Sequence, residues 1–208
     1  MKNLKNTAVK ISKKLVLAIA LGLSVASCTP TPTPAACSTT SSDFQTIFNN
    51  VLVSNSAYDN YTTMDLVTHE YTFTMLANKN ICQIGYQGNA NLYASSIPYT
   101  IEIYDNTTSN LVYSGNHVFN DAYTDYVTPT GPTVSLINTH SYTIRRIASN
   151  YLGNIGNTIG RICRFNAAPL PSAALGTGTF MQLTASNFYG TGGPVPNYGI
   201  PYIDIIFQ

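Results

Sequence analysis

The stretch 99-YTIEIYDNTTSNLVYS-114 decides the fold. Ile101 and Ile103 alternate with Thr100, Glu102 and Tyr104, the two-residue period of a strand with one face in a core and the other in solvent. Asp105–Asn110 is a run of Asp, Asn, Thr and Ser, whose short side chains hydrogen-bond their own backbone in turns. Leu111-Val-Tyr-Ser114 then returns, so the stretch predicts a β-hairpin with a polar loop. The same kind of run recurs on both sides, at 69–75, 80–85, 123–128, 133–137, 141–148, 158–165, 180–185 and 202–207, separated by Gly, Pro and Asn. Past residue 55 nothing holds a 3.6-residue period. Ser42–Phe48 is open between a short helix capped by Ser42 and a strand. The expectation is an all-β fold, an antiparallel jelly-roll-like β-sandwich over residues 43–208. Its last strand turns Ile203, Ile205 and Phe207 to the core and pairs with an early strand. Arg145-Arg146 breaks the alternation of its run, which points to a β-bulge there.

The first forty residues read differently. Lys2, Lys5, Lys10, Lys13 and Lys14 precede the apolar run Leu15–Ala26, with no acidic residue among them. A basic start, a short apolar core and small residues before a cut site make a secretory signal peptide over residues 1–27. The run is shorter than the roughly 20 residues a membrane span needs. Val25-Ala26-Ser27-Cys28 resembles the lipobox of bacterial lipoproteins, with Val25 where that family prefers leucine. The resemblance implies that Cys28 becomes the first mature residue and carries lipid, which anchors the chain to the membrane. Thr29, in place of the Asp that commonly retains such proteins at the inner membrane, implies delivery to the outer membrane, on its periplasmic face or at the cell surface. Thr29-Pro-Thr-Pro-Thr-Pro34 reads as a semi-rigid spacer within a tether of residues 28–42.

Without the leader, Lys79, Arg145, Arg146, Arg161 and Arg164 stand against nine acidic residues, a net charge of −4. There is no basic stripe, so nucleic acid is excluded as a partner class. Export permits disulfides. Cys82 and Cys163 each follow an isoleucine in a predicted strand; a bridge between them and two buried thiols both remain open, with Cys37 unpaired in the spacer. The cysteines lack zinc-ligand spacing.

The order "EYTF", "ICQIGY", "YTIEIYD…LVYSG", "YTIRRI", then a Gly/Pro-rich loop and a closing "PYIDIIF", resembles a bacterial family of unknown function. That family is a β-sandwich found beside carbohydrate-active and adhesion modules. The likeness spans residues 64–208 and implies a binding or architectural role, with no catalytic residue to transfer.

Motif chemistry is sparse. His69-Glu70 starts like HExxH, but Phe73 stands at the second ligand position on a predicted strand. No GxSxG elbow exists, and Gly176-Thr-Gly178 and Gly190-Thr-Gly-Gly193 lack the lysine and helix of a phosphate loop. The chain is therefore expected not to be an enzyme and to require no cofactor. Carbohydrate-binding jelly rolls often hold a structural Ca²⁺ between an early and a late strand, and Glu70 and Asp204 occupy comparable places; the alternative is an exposed acid on each strand. Fifteen tyrosines and no tryptophan suit sugar or protein contact, although strands also favour tyrosine. Asn187, Tyr189, Asn197 and Tyr198 share what reads as one long loop and are the expected ligand-binding residues. The resulting expectation is an envelope lipoprotein that binds a glycan or partner protein. Its alternatives are an architectural lipoprotein and a weak glycoside hydrolase.

Overall fold

A computed structural model of the chain describes residues 37–64, 67–148, 159–166, 175–190 and 193–208. The expected leader, Cys28 and the expected tether up to residue 36 lie outside the described residues. The described residues belong to a compact unit, Ala35–Gln208. They form an antiparallel all-β sandwich, as the alternation predicts.

Helix α1 (Asp43–Ser54) opens the body. The Ser42 side chain caps it, its Oγ accepting from Gln45 N at 2.9 Å. Phe44, Ile47, Phe48 and Val51 repeat at helical spacing and are all buried, which settles Ser42–Phe48 as a helix start. Strands follow as β1 (Asp59–Met64), β2 (Thr68–Met75) and β3 (Lys79–Tyr86), a short helix α2 (Ala90–Ala94), then β4 (Tyr99–Asp105) and β5 (Asn110–His117). The chain continues through β6 (Asp125–Val127), β7 (Ser135–Leu136), β8 (Ser141–Ile147) and β9 (Ile159–Arg164). It closes with β10 (Gly176–Thr177), β11 (Met181–Gly190), β12 (Gly193–Pro196), β13 (Gly199–Pro201) and β14 (Asp204–Phe207).

One broad sheet runs β10-β11-β2-β8-β4-β5, with β12 also on β11. The opposing layer is built from α1, the sheet β14-β3-β6 with β7 on β3, and the sheet β1-β9-β13. Aromatic side chains join the layers. Phe44 of α1 stacks on Tyr71 of β2 at 5.2 Å, and Phe44 and Phe48 meet Tyr202 edge-on at 5.4 and 4.9 Å. Tyr86 of β3 meets Tyr99 of β4 at 5.3 Å. The Tyr71 hydroxyl donates to Ile203 O at 2.7 Å, so a buried polar atom also ties the two layers.

The β4–β5 hairpin forms as read, with Asp105 Oδ1 accepting from Thr107 N and Thr108 N to shape the turn. The last strand pairs with β3. Three expectations need correction. No bulge lies at Arg145-Arg146: β8 keeps register through both residues with β2 and with β4. The alternation survives because Arg146 points inward and is fully buried. The long loop after residue 187 is mostly strand, because β11 runs on to Gly190 and turns into β12. The disulfide is Cys37–Cys82, not Cys82–Cys163, with Cα atoms 6.0 Å apart. Residues 37–42 lie back along the body, where Gln45 Nε2 donates to Thr39 O at 3.0 Å, and this brings Cys37 to β3. Cys163 is a buried free thiol on β9, in a different sheet from Cys82; burial and then nearby Asp59 push it up to about 12.

Candidate functional site

The residues expected to bind ligand do not converge. Asn187 and Tyr189 project from β11 onto the outer face of the broad sheet. There the Tyr189 hydroxyl donates to Glu70 Oε1 at 2.9 Å, and Asn187 Nδ2 donates to the Tyr189 oxygen at 3.3 Å. Asn197 is a turn residue at φ 51°, its Oδ1 accepting from Ser186 N at 3.1 Å. Tyr198 packs edge-on to Phe188 at 6.1 Å, and Phe188 in turn meets buried His69. Tyr198 thus lies toward the opposite side of β11 from Tyr189.

Glu70 and Asp204 are also held apart. Glu70 Oε2 pairs with Arg145 Nε at 3.1 Å on the outer face. Asp204 is fully buried beneath the start of α1 and Tyr126, accepting from Ser42 Oγ at 2.6 Å, Gln45 Nε2 at 2.7 Å and the Tyr126 hydroxyl at 2.8 Å. Burial raises its carboxyl above the usual range, against the lowering effect of those donors. Neither acid is an exposed residue of its strand. Among the described residues no cluster of three or more His, Cys, Asp and Glu has the arrangement of a metal site.

A concave polar site lies elsewhere, between β1, β9 and the segment after β3. It encloses about 270 Å³. Its floor comes from the β1–β9 pair, in which Thr62 stands opposite Arg161. Arg161 Nε donates to Asn60 Oδ1 at 3.0 Å, and its guanidinium lies 4.0 Å from the Tyr202 ring centre. That ring fixes the plane of the guanidinium and shields one face of it.

The opposite wall is Gln87-Gly88-Asn89. Gln87 Nε2 donates to Asp121 O at 2.8 Å and Gly88 N to Asn120 O at 2.7 Å. A Cβ on Gly88 would fall 2.3 Å from Phe119 O, so only glycine lets the two backbones close this wall. Asn89 caps α2 through Oδ1, accepting from Asn91 N at 2.8 Å and Leu92 N at 3.2 Å. Asp121 completes the rim. The site therefore gathers three primary amides, a hydroxyl, a carboxylate and a guanidinium on rigid supports. Such a set donates to and accepts from vicinal hydroxyl groups at once.

The three histidines are engaged elsewhere. His69 is buried against Phe188, His117 lies 2.6 Å from the Tyr113 hydroxyl, and His140 Nδ1 pairs with Asp105 at 2.8 Å. Asp121 is the one carboxylate among the described residues of the cleft.

Sequence reading passed over this site because it hangs on β1. Asp59-Asn-Tyr-Thr-Thr-Met64 carries no apolar alternation, and Arg161 of its partner β9 is 101 residues from Asn60. The Gln87-Gly-Asn89 turn at the end of a clear strand was the one local signal. Comparison with protein-family models and with curated proteins finds no match to this chain.

Proposed function

We propose that the protein is a lipid-anchored envelope protein whose sandwich binds a glycan without acting on it, through the Asn60–Arg161–Asp121 cleft. The observation that carries this reading is the composition of the cleft: amides, hydroxyl, carboxylate and guanidinium set around a volume of about 270 Å³. Arg161 stacked on Tyr202 supplies a preorganised donor, so little ordering entropy is lost on binding. Among the described residues the cleft carries one carboxylate, Asp121, where glycoside hydrolysis uses two flanking acids. The lipobox resemblance at Cys28 and the leader before it support the anchor, and the outer-membrane address rests on Thr29.

A glycan array probed with the purified protein tests the binding. The expected result is a defined set of hits that Arg161→Ala and Asp121→Asn both abolish while Tyr198→Ala retains them. An array with no hit for the parent protein overturns the reading and favours the architectural alternative. Mass spectrometry of the mature amino terminus tests the anchor, expecting a diacylglycerol on the Cys28 sulfur.

A further inference from the structure

The Cys37–Cys82 disulfide determines which end of the body stays near a membrane. Resting on the lipid-anchor reading, the tether from Cys28 to Cys37 is nine residue steps, at most about 3.3–3.6 Å each, or about 30 Å in all. A domain of this length is about 40 Å across. A leash shorter than the body it holds cannot let the far side reach the bilayer.

The surface beside the staple has the chemistry of a membrane contact. Lys79 stands three residues before Cys82 on β3, about 10 Å along the strand. Asn80 N and O bond Gln208 O and N, and the depressions on either side of Gln208 are lined by Cys37 and Cys82 on one hand and by Lys79 and Ile137 on the other. Leu76 and Ile137 are exposed at 43% and 49%. Their turns are tied together, Thr139 N donating to Met75 O at 2.8 Å and Asn138 N to Asn78 Oδ1 at 2.7 Å. Leu76 N also bonds Phe180 O, and Lys79 Nζ sits 3.9 Å from the Phe180 ring centre. Lys79 is the one lysine of the chain after Lys14. The acids at this end are already engaged: Asp43 accepts from the backbone N–H of Thr179, Phe180 and Met181, and Asp105 from His140 and the Thr107 and Thr108 amides.

We propose that this end, formed by the β2–β3 and β7–β8 turns, rests on the lipid bilayer, with Leu76 and Ile137 at the headgroup boundary and Lys79 against anionic phosphate. The glycan cleft would then be presented by a body with a fixed footing rather than a freely tumbling one.

The test uses the full chain, processed in a bacterial host and reconstituted into phosphatidylethanolamine–phosphatidylglycerol vesicles. Mass spectrometry first establishes the acyl chain on Cys28. A protein without it overturns the anchor reading, and this one with it, before any labelling is read. A water-soluble amine reagent then reports on Lys79. The expected result is labelling about five-fold slower in vesicles than in detergent, restored in the Leu76→Asp/Ile137→Asp variant, whose substitutions are at exposed positions. Equal rates for the acylated parent in vesicles and detergent overturn the proposal while leaving the anchor intact. Protection that grows with protein density and accompanies cross-linked dimers also overturns it, assigning the surface to a second copy.

Discussion

Arg145 and Arg146 are adjacent, chemically identical and on one strand, yet they live in different worlds. Arg145 stands on the outer face of the broad sheet, between Glu70 of β2 at 3.1 Å and Glu102 of β4 at 3.8 Å, with its guanidinium 4.6 Å from the Tyr104 ring centre. Arg146 stands on the inner face, fully buried, 5.3 and 5.2 Å from the ring centres of Tyr86 and Tyr99 and opposite His69 in register. A half-wet ion ladder is worth little net, because water and salt screen it. A desolvated cation interacts more strongly with the faces of tyrosine rings and costs more to strand. The pleat alone makes this division, so residue type carries less information here than strand parity.

Arg146→Ala should be the largest disruption, lowering unfolding free energy by about 3–5 kcal/mol in a denaturant titration, because it empties a close-packed slot between two rings. A loss no greater than that of Arg145→Ala would erase the contrast between the faces.

The inner face should also respond to acid. Burial, then the charge of Arg146, holds the His69 imidazole well below the ordinary histidine range. The unfolded chain takes up a proton below about pH 6.5 while the fold resists it, so stability falls as pH drops, by up to about 1.4 kcal/mol per pH unit. Burial lowers His117 in the same direction. Asp204 opposes them: its raised carboxyl contributes stability below about pH 4 that is lost as pH rises through the folded value. The decisive quantity is therefore the difference between parent and His69→Gln melting curves from pH 7 to pH 5. The parent should lose more over that range, and parallel curves would remove His69 from the account.

On the outer face, a double-mutant cycle of Glu70→Gln and Arg145→Ala should give a coupling of about 0.5–1 kcal/mol, reduced at 1 M salt. Glu102→Gln should cost least, about 0–0.5 kcal/mol, since its oxygen is 3.8 Å from the guanidinium. A cost for Glu102→Gln equal to the Glu70–Arg145 coupling would mean that the ladder acts as one unit.

Wherever apolar residues alternate without interruption, the fold was legible. Ile101/Ile103, Tyr71/Phe73/Met75 and Ile203/Ile205 all point inward as their spacing predicts. The chain was opaque where polar residues do structural work at long range. Ile206 and Asp204 are as buried as Ile205, because α1 and Tyr126 cover the second face of β14; nothing local to 202–207 announces that cover. The Cys37 pairing depends on how residues 37–42 lie on Gln45, a tertiary fact. The cleft depends on β1, whose polar Asn60 and Thr62 look like a turn until β9 is placed beside them. Of Asn187, Tyr189, Asn197 and Tyr198, local sequence could show only that they were close along the chain; the turn between β12 and β13 sets Tyr198 against Phe188, away from Tyr189.

The bond from Ser42 to Asp204 spans 162 residues. It joins the first turn of the first helix to the last strand, and that strand fills the seam against β3. A body latched this way draws part of its stability from a contact that no amino-terminal fragment can make. Closure over such a span costs loop entropy before the contact forms, which makes it a late step in folding.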